Sequence, residues 1–274
     1  MRKTNDERHK IQLSDVELNS MTADLRDAHS DTLPAMRASL SAWDVSEDDN
    51  ASGMSRRSFL TRTGLLAAGG LLVASSGAAA SANPRTQVGQ TALSALRRDS
   101  RAPLDLRVAA LEASLENLAV ATYGAALSAA TAGKLGTVPN AVATFVETAM
   151  AQHKDHAAAW NAIIFRAGYK KVTAPNAAIA KSVDSALAKL SDVPGVARLA
   201  LSLEEAAAAT YLEAIGVMSG RAAIETAATI QPVEMQHAAI LNVVLGRDPV
   251  PAAFAVLDGA VALSDAKHLA ISRA

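Results

Sequence analysis

The sequence predicts an all-α protein, a four-helix bundle made of two antiparallel hairpins joined by a long crossover. Three observations predict it. One pattern occurs twice: Glu116 lies seven residues before Tyr123, and Glu204 lies seven before Tyr211. Each copy is followed by polar side chains three apart, His153 with His156 and Glu234 with His237. Carboxylates and imidazoles on the inner faces of four helices are how a bundle builds a metal site. Composition points the same way. Half of the 274 residues are apolar but only 3% are aromatic, and alanine dominates the second half, which favours closely packed helices. Finally, glycine and proline breakers divide residues 104–246 into four long segments, with two short links and one long one.

Residues 1–53 stand apart by charge, with six Lys+Arg against eleven Asp+Glu, while the whole chain is at −1. The segment reads in two ways. Met54 directly precedes an export-like motif, so 1–53 is either a mis-assigned start or a genuine cytoplasmic extension, acidic, polar and disordered. Residues 11–40 have apolar spacing enough for a short amphipathic helix.

Residues 54–82 read as a twin-arginine signal peptide. Ser55-Arg56-Arg57-Ser58-Phe59-Leu60 is followed by a modestly apolar run and then Ala80-Ser81-Ala82, an A-x-A cleavage site. An uncleaved anchor fits less well, because glycine, alanine and serine dilute the run below a good membrane span. The chain has no cysteine, which excludes a lipoprotein anchor, disulfides, thiolate zinc sites and cysteine nucleophiles. The expected destination is the periplasm, cell envelope or extracellular space, with the twin-arginine translocase as a partner during export.

After a polar linker at 83–103 the bundle begins. The first helix spans about 104–130, with Leu111, Leu115, Leu118 and Thr122 on one stripe. A Gly/Pro-rich turn at 131–139 leads into a second helix to about 167. The connection 168–193 holds one short helix after Pro175. A third helix opens at Pro194, a residue suited to a first turn, and runs to about 220. A fourth follows to about 246. The tail, 247–274, opens with Pro249 and Pro251 and is expected to carry a short helix over 253–263. Helices of about 25 residues are roughly 37 Å long. The short links therefore make antiparallel hairpins, and the 168–193 connection is long enough to run the length of the bundle.

Residues three apart on a helix point to nearly the same side, and seven apart is almost two full turns. An approximate two-fold axis relating the hairpins would then bring Glu116, His153, His156, Glu204, Glu234 and His237 to one centre. Three carboxylates and three imidazoles suit iron or manganese, and zinc less specifically.

Over roughly 104–246 the chain resembles the ferritin-like superfamily, in particular rubrerythrin-like and twin-arginine-exported bacterial ferritin-like domains. The matching residues are Glu116 with Tyr123, Glu204 with Tyr211, and Glu234-x-x-His237. The resemblance implies that Glu116 and Glu204 are terminal ligands, that Glu234 bridges two metal ions, and that Tyr123 and Tyr211 orient the ligands by hydrogen bonds. His153-x-x-His156 departs from the pattern, since the family has a bridging glutamate where this chain has His153. A one-metal site, an asymmetric two-metal site and a degenerate site all remain open. Gln152 and Glu147 are expected to point away from the centre.

Other candidates read as structural. Glu205, Glu112 and Glu213 break the repeat, Asn161 and Asn242 match in it and brace backbone or a ligand, and His9, His29 and His268 read as surface residues. No Ser-His-Asp set, phosphate loop or basic nucleic-acid surface is discernible. The expected function is an exported metal-binding protein that handles oxygen, peroxide or ferrous iron as a di-metal oxidoreductase of the peroxidase, oxidase or ferroxidase type, with a homodimer as its assembly. The competing expectation is a non-catalytic exported bundle with a degenerate site, acting in binding or envelope structure. Iron storage would need a hollow oligomeric cage, of which the sequence carries no sign.

Overall fold

The breakers near residues 131–139 and 218–220 turn the alanine-rich segments back on themselves. In the computed structural model, which describes residues 14–42, 103–255, 257–263 and 271, this produces two hairpins. The described helices are α1 (Asp15–Ala42), α2 (Leu104–Thr131), α3 (Asn140–Arg166), α4 (Ala177–Leu187), α5 (Val193–Val217) and α6 (Arg221–Val244). No strand occurs among the described residues. Helix α2 packs on α3 and α5 on α6, and the hairpins join through α2–α5 and α3–α6 contacts, which closes a ring of four.

Local chemistry fixes the ends. Asp192 caps α5, its Oδ1 accepting from Gly195 N–H at 2.6 Å, with Pro194 in the first turn; such a cap contributes about 1 kcal/mol. Gly133 and Gly136 hold positive φ in the α2–α3 turn, where a side chain would be strained. The α5–α6 junction has no loop to spare, and Asp105 at the start of α2 accepts from the N–H groups of Ser219 and Gly220. The crossover is pinned to α2 and α3. Asn161 exchanges two hydrogen bonds with Val172, Asn117 donates to the Val172 carbonyl, and Asn176 both caps α4 and donates to Ser114.

Two apolar clusters fill the ring at different levels. One gathers Leu111, Trp160, Ile163, Ile164, Ala227 and Ile230; the other gathers Phe145, Ala149, Leu201, Ile240 and Leu241. Burying a side chain such as Leu111 or Phe145 stabilises the fold by about 1.5–3 kcal/mol. On each of the four bundle helices the ligand candidates fall between the two clusters, so the polar layer is sealed above and below.

Two expectations need correction here. Residues 15–42 do not form a disordered extension: they are a 28-residue helix whose Leu18, Thr22 and Leu25 are buried against the bundle, with α3 and α6 as neighbours. The helical spacing within 11–40 outweighs the polar composition because a tertiary face receives it. The tail carries no α-helix over 253–263 among the described residues. Pro251 and the positive φ of Gly259 break it, and Val261 N–H instead donates to Thr210 Oγ1 at 2.8 Å, burying Leu263. The segment 54–82, expected to be a signal peptide, lies outside the described residues, as does the expected linker up to 102. No described helix is long and apolar enough to cross a membrane.

Candidate metal centre

All six ligand candidates meet at one level of the bundle interior. Glu116 comes from α2, His153 and His156 from α3, Glu204 from α5, and Glu234 and His237 from α6. None is more than 3% exposed. Their donor atoms form two overlapping sets, Glu116–His153–His156–Glu234 and His153–Glu204–Glu234–His237, with the atoms of each set within 4.8 Å of one another. His153 and Glu234 belong to both sets.

His153 occupies the middle. Its Nδ1 lies 2.7 Å from Glu116 Oε2 and its Nε2 lies 3.2 Å from Glu204 Oε1. His237 Nδ1 lies 3.3 Å from Glu204 Oε2. The tyrosines cross between hairpins: Tyr123 donates to Glu204 and Tyr211 donates to Glu116. Trp160 Nε1–H donates to the Tyr211 oxygen at 2.9 Å, with the two rings stacked.

Electrostatics bind this layer together. Burial alone would raise the Glu116 carboxyl, but His156 and His153 beside it bring it down to about 2. Burial would likewise depress His156, yet Glu116 and Glu234 lift it to about 9. Burial also opposes charge on His153 and His237, and neighbouring carboxylates raise both. Glu204 is held well below the usual carboxylate range by His237 and His153 against its own burial. Burial first, and then Glu204 or Glu116, pushes the Tyr123 and Tyr211 phenols well up, so both stay protonated donors. Without metal, imidazolium charge thus balances the carboxylates.

Protons do not balance the layer fully. Both oxygens of fully buried Glu234, and Nδ1 of His156, make no hydrogen bond, although His156 Nδ1 and Glu234 Oε1 are only 2.9 Å apart. Ion pairing with the neighbouring imidazoles is all that offsets the burial of these three atoms, and they converge where a cation would coordinate them. The donor set therefore fits a transition-metal ion, with Glu234 offering one oxygen to each side.

Two neighbours were misread from sequence. Gln152 does not point away: its Oε1 accepts from His237 Nε2 at 2.7 Å and its Nε2 donates to the Leu25 carbonyl of α1. Phe145, Ala149, Gln152 and His156 form one helical stripe, a signal that could have placed it. His29 is partly buried rather than fully on the surface; it lies 3.2 Å from Asp155 and packs edge-on against His156 at 5.7 Å. Glu112, one turn before Glu116, is fully buried without a hydrogen-bond partner. His9 and His268 lie outside the described residues. Glu205 and Glu213 are not among the ligating groups.

Comparison with known proteins bears on the same span. The family model described as ferritin-like domain matches residues 104–247, which contain all six ligand candidates. No curated protein and no solved structure matches the chain.

Proposed function

The chain belongs to the ferritin-like domain family, and from that premise we propose that it is an exported metalloprotein that handles oxygen, peroxide or ferrous iron at the six-ligand centre. The observation that carries the reading is the pair of overlapping donor sets sharing His153 and Glu234. Iron or manganese suits the mixed carboxylate and imidazole donors better than zinc. Such an ion supplies electron transfer to a small oxidant or from ferrous iron acting as substrate. The protein's own residues do the rest. Gln152 takes the Nε2–H of His237, which leaves Nδ1, facing Glu204 and Glu234, as its ligating nitrogen. Tyr123 and Tyr211 hold Glu204 and Glu116 in orientation. A neutral His153 has one lone pair to give, so one donor set is richer than the other and two ions would bind unequally.

The non-catalytic reading has one observation in its favour. Both His153 nitrogens are already engaged by Glu116 and Glu204, so much of the layer is satisfied by protons alone. Metal analysis of protein purified from its native host separates the two. One or two equivalents of iron or manganese are expected; less than about one-tenth of an equivalent of any transition metal favours the non-catalytic bundle.

Export rests on the Arg56-Arg57 motif and the Ala80-Ser81-Ala82 site. From what the twin-arginine route is known for, folded and metal-loaded cargo suits it. Cleavage after Ala82 would sever α1 from the bundle, so N-terminal sequencing of the exported chain should read from Asn83; an intact start would rule that out.

A further inference from the structure

Helix α1 lies outside the matched family span, which starts at residue 104, yet it reaches the ligand layer through one side chain. Its Leu18, Thr22 and Leu25 are buried, with α3 and α6 as its neighbours. Beside them Gln152 of α3, 2% exposed, donates from Nε2 to the Leu25 carbonyl at 3.2 Å, while its Oε1 faces His237 Nε2 at 2.7 Å. His29 adds a second tether from α1 to α3, at Asp155.

These three groups fix one another's polarity. A backbone carbonyl only accepts, and its second lone pair stays open when the first serves its own helix. The amide must therefore turn its nitrogen to Leu25, which turns its oxygen to His237. Facing an oxygen, His237 Nε2 carries its hydrogen. Nδ1, 3.3 Å from Glu204 Oε2 and 3.6 Å from Glu234 Oε2, is the nitrogen left for an ion. Water in place of the Leu25 carbonyl imposes no such choice, because it donates as readily as it accepts. With α1 displaced the amide is free to turn over, and an NH2 group facing Nε2 puts the ring hydrogen on Nδ1. A partly open groove of about 590 Å³ between α1, α3 and α6 is lined by Gln152, so solvent takes the helix's place directly.

We propose that docking of α1 sets the metal affinity of the centre: the Leu25 carbonyl, acting through Gln152, holds His237 in its ligating tautomer, and metal binding in turn strengthens the docking. Gln152 is then a positioning residue, and α1 is what positions it. Coupling between two equilibria is reciprocal, so one factor describes both directions. A chain with α1 docked holds its ion more tightly than one from which α1 has been cut or lifted. The coupling rests on the metal-centre reading above.

Manganous ion is the probe, bound to the full chain and followed by chelator competition. Leu25→Asp, which drives α1 off its apolar seat, should weaken binding at least about fivefold, and Gln152→Leu about 10–100-fold. Because both act on one connection, adding Leu25→Asp to Gln152→Leu should cost less than about a further twofold. Amide hydrogen exchange reads the reverse direction on the native chain, so it needs no variant to fold. Saturating manganous ion should slow exchange across α1 by a like factor, at least about fivefold, and that slowing should disappear in Gln152→Leu. Unchanged affinity in Leu25→Asp, full multiplication of the two losses in the double variant, or exchange in α1 that ignores the ion overturns the proposal. A native chain that takes up no manganous ion removes the metal-centre reading and the coupling together. One that takes it up while the variants and α1 exchange stay unmoved removes the coupling alone.

Discussion

Tyr123 of the first hairpin donates its phenolic hydrogen to Glu204 of the second, and Tyr211 returns the bond to Glu116. The seven-residue spacing thus does not serve one helix's own ligand. Position 116 faces 211 while 123 faces 204, the register of two antiparallel helices, and the same spacing on both lets each tyrosine reach across. Tyr123→Phe should leave the fold intact and weaken metal binding by about 10–100-fold, the usual effect of removing a ligand's orienting partner. Chelator competition measures it, and an unchanged affinity would remove that role. Tyr211→Phe carries an added penalty. It strands the buried Trp160 N–H, so the metal-free protein should also lose about 1–3 kcal/mol of stability, which Tyr123→Phe should not.

Ligand assignments separate cleanly by substitution. Glu204→Ala and His237→Ala each remove a member of a donor set and should lower bound metal, read as equivalents per chain after dialysis against buffered ion. Glu213→Ala, at a half-buried position outside both sets, should leave it unchanged. Equal metal content in all three variants would contradict the assignment.

The ligand layer was legible because it is written twice. Glu116 and Glu204 recur with their tyrosines at the same spacing, and a helix wheel turns such spacing into direction. Gln152 was not legible from that wheel. Taking His153 and His156 as the only inward direction leaves out the arc between α6 and α1, and a helix packed on three sides buries more than one face. The docking of helix α1 on the bundle was not legible for a related reason. The spacing within 11–40 fits an amphipathic helix, but polar composition says little about a partner surface more than a hundred residues away, on which Leu18 and Leu25 are seated. Glu112 reads as structural because its repeat partner is Ala200, and it lies outside both donor sets.

His153→Glu tests the chain's main departure from its family. The substitution restores a second carboxylate able to bridge, adding the negative charge that two divalent ions need. Titration of metal-free protein with ferrous or manganous ion should show two unequal steps in the native chain and a closer, tighter pair in the variant. Loss of the second step in the variant would show that His153 itself holds that ion.

Acid and alkali should act on the metal-free and metal-loaded protein in opposite ways. His156 is raised from 6.5 to about 9. The stability it contributes is complete below 6.5 and disappears as pH climbs through about 9. Glu116 is lowered from 4.5 to about 2, so its contribution is complete above 4.5 and disappears as pH drops through about 2. Metal-free protein should therefore be most stable between about pH 4.5 and 6.5 and should weaken towards pH 9 and beyond. Metal requires the same imidazoles neutral and displaces their protons on binding. Metal affinity should then rise with pH up to about 9 and fall away in acid. Thermal unfolding of both forms across this range measures the divergence, and the Tm gap should widen steadily from pH 6.5 to about 9. A metal-free Tm that stays level across that interval would mean that the buried imidazoles carry no proton in the folded chain, and the charge balance argued for the ligand layer would be wrong.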